Sequence, residues 1–369
     1  MSRPTVNDLA KAAGVSLATI DRVLNSRPGV REQTIRRVNA AIEQIGYVRD
    51  VTAANLARQR RYRFAFVMPE APGEFVTLLK AAVTEAAASP IVDRTELTVA
   101  TVPPNDPHFL VKTLRRLGAQ DVDGIAIFAP ETPHVRDEIA HLKENGVAVV
   151  ALVSDLPNTG RDHFVGVDNV AAGRTAGVLM GRFLGENQGS VLVLASSMQA
   201  RANAERRLGF DQVMSEQFPT IQVLPSLEGH DDPDTIRRVV SAVLDNREDI
   251  AGVYSVGTGN GVLVDLLKEH SRGQGLVVIA HELTRNTRRA LEDGTLDAVI
   301  NQNVGHIARS ALRVLRAYRG GTLSRRRDAR FGVLDASDRA QPPALHGQRC
   351  PASRQPAPRD LSCRQFQRP

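Results

Sequence analysis

The chain lacks most of what would place it in a membrane, a secreted scaffold or a catalytic family. It has two cysteines in 369 residues, both among the last twenty, so no disulfide framework is expected and a reducing cytoplasm is the natural compartment. No apolar run reaches the length of a membrane span, and the start carries no basic, apolar and small-residue signal sequence. The stretch GTGNG, Gly257 to Gly261, lacks the third glycine of a dinucleotide loop, and no Gly-Lys-Ser/Thr phosphate loop occurs. There is no Gly-x-Ser-x-Gly elbow. The nine histidines are scattered, without His-Glu-x-x-His, and no cysteine pair has metal spacing. The expectation is binding without chemistry, with no catalytic residue, metal or cofactor.

Charge is unevenly placed. Residues 1–63 hold 12 Lys/Arg against 5 Asp/Glu, and residues 324–369 hold 10 Arg against 4 Asp, within a net charge of +6; the stretch between is therefore acidic. A basic head on an acidic body fits a nucleic-acid-binding module joined to a separate globular unit.

The head has helical period. Val6, Leu9, Ala10 and Ala13 fall on one face, Thr5 is placed to cap the helix, and Asp8 sits where a carboxylate favours a helix N-terminus. Gly14 stops the helix, and Ser16 caps a second one that turns Ile20, Val23 and Leu24 inward. Two short helices joined by a tight turn with glycine make a helix-turn-helix. A third segment adds Ile35, Val38, Ile42 and Ile45 to the core, while Leu17, Ala18, Asp21 and Arg22 remain on the outer face of the second helix.

From Thr5 to about Ala57 the sequence resembles the DNA-binding head of the LacI/GalR repressor family. The match includes Val6 and Ala10, Ala13-Gly14-Val15-Ser16, Thr19, Arg22-Val23, Asn25, Val30, Thr34 and Gly46-Tyr47. The resemblance implies a recognition helix that reads base edges in the major groove while neighbours position it on phosphates. Leu17 and Ala18 suit a thymine methyl or a close approach, and Arg22 suits a bidentate guanine contact or a phosphate. Thr5, Ser16, Thr19, Asn25 and Thr34 are DNA-contact candidates as short polar groups, with Ser16 equally readable as a helix cap. Asp21 departs from the family's usual serine and needs Arg22 or a cytosine amine as its partner. Residues 49–62 match the family's hinge, ordered as a helix on operator DNA. Ala53 and Leu56 hold its characteristic positions, and Leu56 reads as a minor-groove wedge or as a linker leucine.

From Phe64 short β-rich runs alternate with longer helical stretches. FAFVMP, TELTVATV, GIAIFA and VAVVALV form one series and GSVLVLAS, IQVLPSL, GVYSV and LVVIAH a second, which predicts α/β architecture with doubly wound parallel sheets. The resemblance continues to about Gly321 and implies a two-lobed, type I periplasmic-binding-protein-like domain that binds an effector and dimerises. Ligands of such folds lie at the carboxyl ends of strands. Candidates there are Glu70, Phe75 (a sugar-stacking ring or core filler), Asp155, Asp168 (a hydroxyl acceptor or its own helix cap), Arg206 (a ligand clamp or a helix salt bridge), Glu282 and Gln302.

The expected organisation is a head over 1–48, a hinge over 49–62, an effector domain over 63–323 and a tail over 324–369. The tail is rich in Arg, Pro, Ser and Gln and lacks period apart from FGVL, so no packed structure is expected of it. It reads either as the product of a reading-frame change or as a genuine basic extension with non-specific DNA affinity. Together these features predict a cytoplasmic, homodimeric, carbohydrate-responsive repressor on a pseudo-palindromic operator in double-stranded DNA, with no membrane contact. A transport-type solute-binding protein and a sugar-active enzyme are the rival readings.

Overall fold

The computed structural model describes residues 4–24, 28–47, 61–70, 73–88, 95–104, 106–185, 189–257 and 259–320. The expectations for Asn25, Ala53, Leu56 and the tail lie outside the described residues.

Helix α1 (Val6–Ala13) begins at a reciprocal cap: Thr5 Oγ1 accepts from the Asp8 amide at 3.3 Å, and Asp8 Oδ2 accepts from the Thr5 amide at 2.8 Å. The Thr5 amide, and the Thr5 hydroxyl that also donates to it, hold the Asp8 carboxyl below its ordinary range. The helix ends at Gly14, whose φ of 61° is left-handed and whose N–H returns to Lys11 O at 3.2 Å. Ser16 Oγ then accepts from the Thr19 amide at 3.2 Å and opens α2 (Leu17–Leu24). Helix α3 (Glu32–Ile45) completes the head, and its Arg37 Nη2 donates to Gly14 O at 3.1 Å, tying it to the turn. Leu9, Ala10, Ala13, Ile20, Val38, Ala41 and Tyr47 are the core, with Val23, Leu24, Ile42 and Ile45 packed against it. Val6 departs from the expected buried face. It is 40% exposed, because the whole first turn of α1, residues 6–8, stands outside this small core.

The Thr5 cap carries a modest prediction. Thr5→Ala should lower the head's stability by about 1 kcal/mol, read from amide exchange along α1. A larger fall in DNA affinity than in stability would add a phosphate contact to the cap's role.

The body has two parallel five-stranded sheets. The first lobe holds β1 (Tyr62–Pro69), α4 (Glu74–Ala88), β2 (Thr95–Val102), α5 (Pro107–Gly118), β3 (Gly124–Ile127), α6 (Pro133–Glu144), β4 (Ala148–Leu152) and β5 (His163–Val165), in strand order β2-β1-β3-β4-β5. The second holds α7 (Asn169–Leu184), β6 (Ser190–Ala195), α8 (Arg201–Gln217), β7 (Gln222–Glu228), α9 (Pro233–Asn246), β8 (Ile250–Ser255), α10 (Asn260–Glu269), β9 (Val277–His281), α11 (Arg285–Glu292) and β10 (Ala298–Ile300), in order β10-β9-β8-β6-β7. Strands β3, β4 and β6 are buried at every position, as parallel strands covered on both faces must be. Alternate residues of β1 divide the first core: Phe64, Phe66 and Met68 face α4, and Ala65 and Val67 face α5 and α6. Three helices start alike, with a capping side chain followed by proline at the first helical position: Asp106-Pro107, Thr132-Pro133 and Asp232-Pro233.

After β10 the chain returns to the first lobe as α12 (Val304–Gly320). Its end is pinned there. Arg319 Nε donates to Asp123 Oδ1 at 2.9 Å, and Tyr318 Oη donates to Asp162 O at 2.8 Å. No helix among the described residues is long and apolar enough to cross a membrane.

Candidate functional site

In the head, packing sorts the residues of α2 into two sets. Ile20 is fully buried, whereas Leu17 is half exposed and Ala18 and Arg22 are exposed. Asp21 is half-buried, and Thr34 lies half-buried in the first turn of α3. The Ser16 and Thr19 hydroxyls lie 2.9 Å apart, so Ser16 caps the helix and also links to a second hydroxyl at its start. Leu17, Ala18 and Arg22 thus form an apolar-and-cationic surface beside a pair of hydroxyls at a helix N-terminus. That surface can meet base edges and phosphates together.

In the second lobe the carboxyl ends of β8, β9 and β10 surround one buried arginine. Arg206 projects from the first half of α8 and is 3% exposed. Its Nε donates to Asn169 Oδ1 at 2.9 Å, Nη1 to Val256 O at 2.9 Å, and Nη2 to Glu282 Oε1 at 3.1 Å. Gln302 Nε2 donates to the same Glu282 oxygen at 2.8 Å. Two buried acceptors are left over: Glu282 Oε2 and Gln302 Oε1 have no hydrogen-bond partner among the described residues. A buried acceptor without a donor is costly, and a ligand offering O–H or N–H groups would satisfy both.

Burial pushes the Glu282 carboxyl up, against the opposing pull of Arg206 and the Gln302 and Arg206 hydrogen bonds. Beneath it His281 is fully enclosed, and burial followed by the nearby Arg206 charge holds its imidazole well below the ordinary range, hence neutral. A 2.8 Å hydrogen bond joins its Nε2 to the Tyr254 hydroxyl, and Phe210 stacks on Tyr254 with centroids 4.4 Å apart. Asn260, at the start of α10, accepts from Ser255 Oγ at 2.6 Å and donates to His281 O at 2.8 Å, fixing β8 against β9. The arginine cluster therefore rests on a rigid aromatic and amide floor.

Positive φ outside glycine recurs at strand ends in both lobes, and Glu282 of the arginine cluster is one of these residues. Five described residues other than glycine have positive φ, and four of them lie just after strand ends: Val153 after β4, His230 and Asp231 after β7, and Glu282 after β9. For a β-branched residue such as Val153, with φ of 64°, this is an outlier conformation. Such strain collects where side chains must be aimed.

The candidates in the body thus fall into two groups. Arg206, Glu282 and Gln302 come together. Glu70 is exposed at the end of β1, and Phe75 is 7% exposed within the first lobe's core. Asp155 is held by Arg161, with Arg161 Nη2 donating to its Oδ2 at 2.5 Å. Asp168 caps α7 by accepting from the Ala171 amide at 2.9 Å. Tyr254 and Asn260 join the site without a sequence signal of their own, and Asn169 and His281 are marked in the sequence only as neighbours of Asp168 and Glu282. For Asn169 the signal was its place beside Asp168 at a helix start.

Comparison with known proteins agrees with both halves. Residues 5–50 match the family described as bacterial regulatory proteins, lacI family, and residues 64–322 match the periplasmic binding protein domain. Catabolite control protein A of Streptococcus mutans serotype c is 27% identical over 162 residues, 43% of this chain and 47% of that protein, so the match spans about half of that relative. Catabolite control protein A of Priestia megaterium is 23% identical over 286 residues, 76% of this chain and 83% of that one. Among solved structures, an ABC transporter solute-binding protein from Burkholderia graminis C4D1M in complex with D-arabinose superposes with a TM-score of 0.67 at 23% identity, covering 72% of this chain and 92% of its own. With its capped helix-turn-helix head and its two-sheet periplasmic-binding-protein body, the chain belongs to the LacI family of bacterial regulators.

Proposed function

We propose that the protein is a DNA-binding transcriptional regulator, a repressor of carbohydrate-use genes, whose operator affinity responds to a small sugar or sugar derivative. It acts in the cytoplasm as a homodimer, and its two heads read a pseudo-palindromic site in double-stranded DNA, since two-fold protein matches two-fold operator. Leu17, Ala18 and Arg22 read bases. Thr5, Ser16, Thr19, Asn25 and Thr34 take phosphates, Asp21 adjusts base choice, and Ala53 and Leu56 serve the minor groove. Arg206, Glu282 and Gln302 hold the effector in the second lobe. Glu70, Asp155 and Asp168 border the cleft, while Phe75 serves the first lobe's core.

The observation that carries this reading is the pair of buried acceptors without a partner among the described residues, Glu282 Oε2 and Gln302 Oε1, set against Arg206 in a chain that also carries a DNA-binding head. A polyhydroxylated ligand supplies the donors these atoms lack. Effector binding shifts the population between DNA-binding and released states, and the coupling is reciprocal: operator DNA must change sugar affinity by the same factor.

The test is to select genomic fragments with the purified protein and then challenge each complex with neutral sugars. Release or tightening by one sugar, recovered chemically unchanged, supports the reading and separates it from that of a sugar-active enzyme. Fragments that no sugar affects, together with no sugar binding, would sink the effector assignment. Failure to select any fragment would sink the regulator itself.

A further inference from the structure

Helices α7 and α8 cross so closely that at two points no side chain fits between them. A Cβ added at Gly173 of α7 would lie 1.9 Å from the Arg206 carbonyl oxygen, and one added at Gly209 of α8 would lie 2.0 Å from the Val170 carbonyl oxygen. Both obstacles are backbone, so no rotamer change makes room. Further along α7, at helical spacing on the same face, Gly177 and Gly181 confront side chains instead: Val213 Cβ at 2.9 Å and the Phe218 ring at 2.4 Å.

The tight end of the crossing is the end that carries the polar cluster. Asn169 stands one turn before Gly173, Arg206 stands one turn before Gly209, and the two side chains are joined by the 2.9 Å Nε–H···Oδ1 bond. Independently of the glycines, Glu282 and Gln302 are 6% and 4% exposed, and each has one oxygen without a partner among the described residues.

We propose that Gly173 and Gly209 are positioning residues of the ligand site: their bare backbones set the depth at which Arg206 meets Asn169, Val256 and Glu282. The proposal rests on the reading of that cluster as the effector site. Its geometric basis is simple. A methyl at Gly173 must move from 1.9 Å to at least about 3.0 Å from the Arg206 carbonyl, displacing the arginine's own backbone by about 1 Å. Three hydrogen bonds of 2.9 to 3.1 Å, aimed at acceptors on three different elements, do not all survive such a shift.

The experiment uses the full chain with selectively ¹⁵N-labelled arginine and no added ligand, so its failure is separate from a failure to find a sugar that binds. In the wild type the buried Arg206 Nε–H gives an exchange-protected resonance, assigned by its loss in Arg206→Lys. Gly173→Ala and Gly209→Ala are expected to lose it or to move it among the exposed arginines. Gly181→Ala, whose methyl meets the Phe218 side chain and not the backbone of α8, is expected to keep it even at an equal loss of melting temperature. An unmoved Arg206 resonance in a folded Gly173→Ala overturns the proposal. If both alanine variants fail to fold, Asn169→Ala decides. The crossing alone should keep the guanidinium pinned on Val256 O and Glu282, so its slowly rotating Nη–H signals persist; their collapse would assign the seating to the Asn169 side chain and overturn the glycine role.

Discussion

Arg206→Ala is expected to abolish the effector response while leaving operator DNA bound, and to destabilise the second lobe by about 3–5 kcal/mol at neutral pH. The loss of response follows from the geometry: the guanidinium is the hub that orders Asn169, the Val256 carbonyl and Glu282. The loss of stability follows from what is left behind, a carboxylate at a site 6% exposed without its cation. Its sign with pH can be worked out. Burial already raises the Glu282 carboxyl above its ordinary range, and Arg206 opposes the rise. A group whose folded pKa is raised contributes stability that is intact below its unfolded pKa and lost as pH rises through the folded one. Without Arg206 that folded value climbs further, so the variant should be most damaged near neutrality and should recover toward acid pH. Denaturant melts at about pH 5 and pH 8 test this, because a pH-independent deficit would show that packing, not the stranded carboxylate, sets the cost. Adding Glu282→Gln should restore much of the stability but none of the response. A variant still released at the wild-type sugar concentration would remove Arg206 from the effector site.

Much of this architecture was legible before any coordinate. Thr5, Gly14 and Ser16 announce the first two helices because caps act through local hydrogen bonds that a short sequence window contains. Buried strands such as β4 and β6 announce themselves as continuous apolar runs, whereas β10, three half-buried residues, has no period to detect. Side-chain roles were harder to see. Asp168 and Asn169 are neighbours, yet the first caps α7 and the second reaches Arg206, a difference of one residue on the helix that periodicity does not resolve. Phe75 shows the limit of residue type: an aromatic at a helix start suits stacking or core, and α4 turns it inward. The positive φ of Glu282 and the close approach at Gly173 arise from contacts distant in sequence, so no local rule marks them.

The second large effect is expected at the DNA surface. Arg22→Ala should weaken operator binding by about 1–3 kcal/mol, roughly five- to 150-fold. Arg22 lies one turn beyond Ala18 on the face of α2 that the Ile20 core leaves uncovered, with half-exposed Leu17 in the turn before it. A long cation placed there reaches beyond the helix while short apolar groups permit a close approach. In that setting a bidentate guanine contact is the strongest use of a guanidinium. If the contact is to a base, the variant should relax preference at one operator position and leave binding to random DNA nearly unchanged. If it is to phosphate, operator and random DNA should weaken together, and the slope of log affinity against log salt should fall by about one. The wild type itself should show a steep salt dependence, since the basic head releases counterions on binding. Measuring both DNAs across a salt series distinguishes the two roles. Equal affinities of Arg22→Ala and wild type on both DNAs at every salt concentration would take Arg22 out of the interface and shift the reading of bases to Leu17 and Ala18.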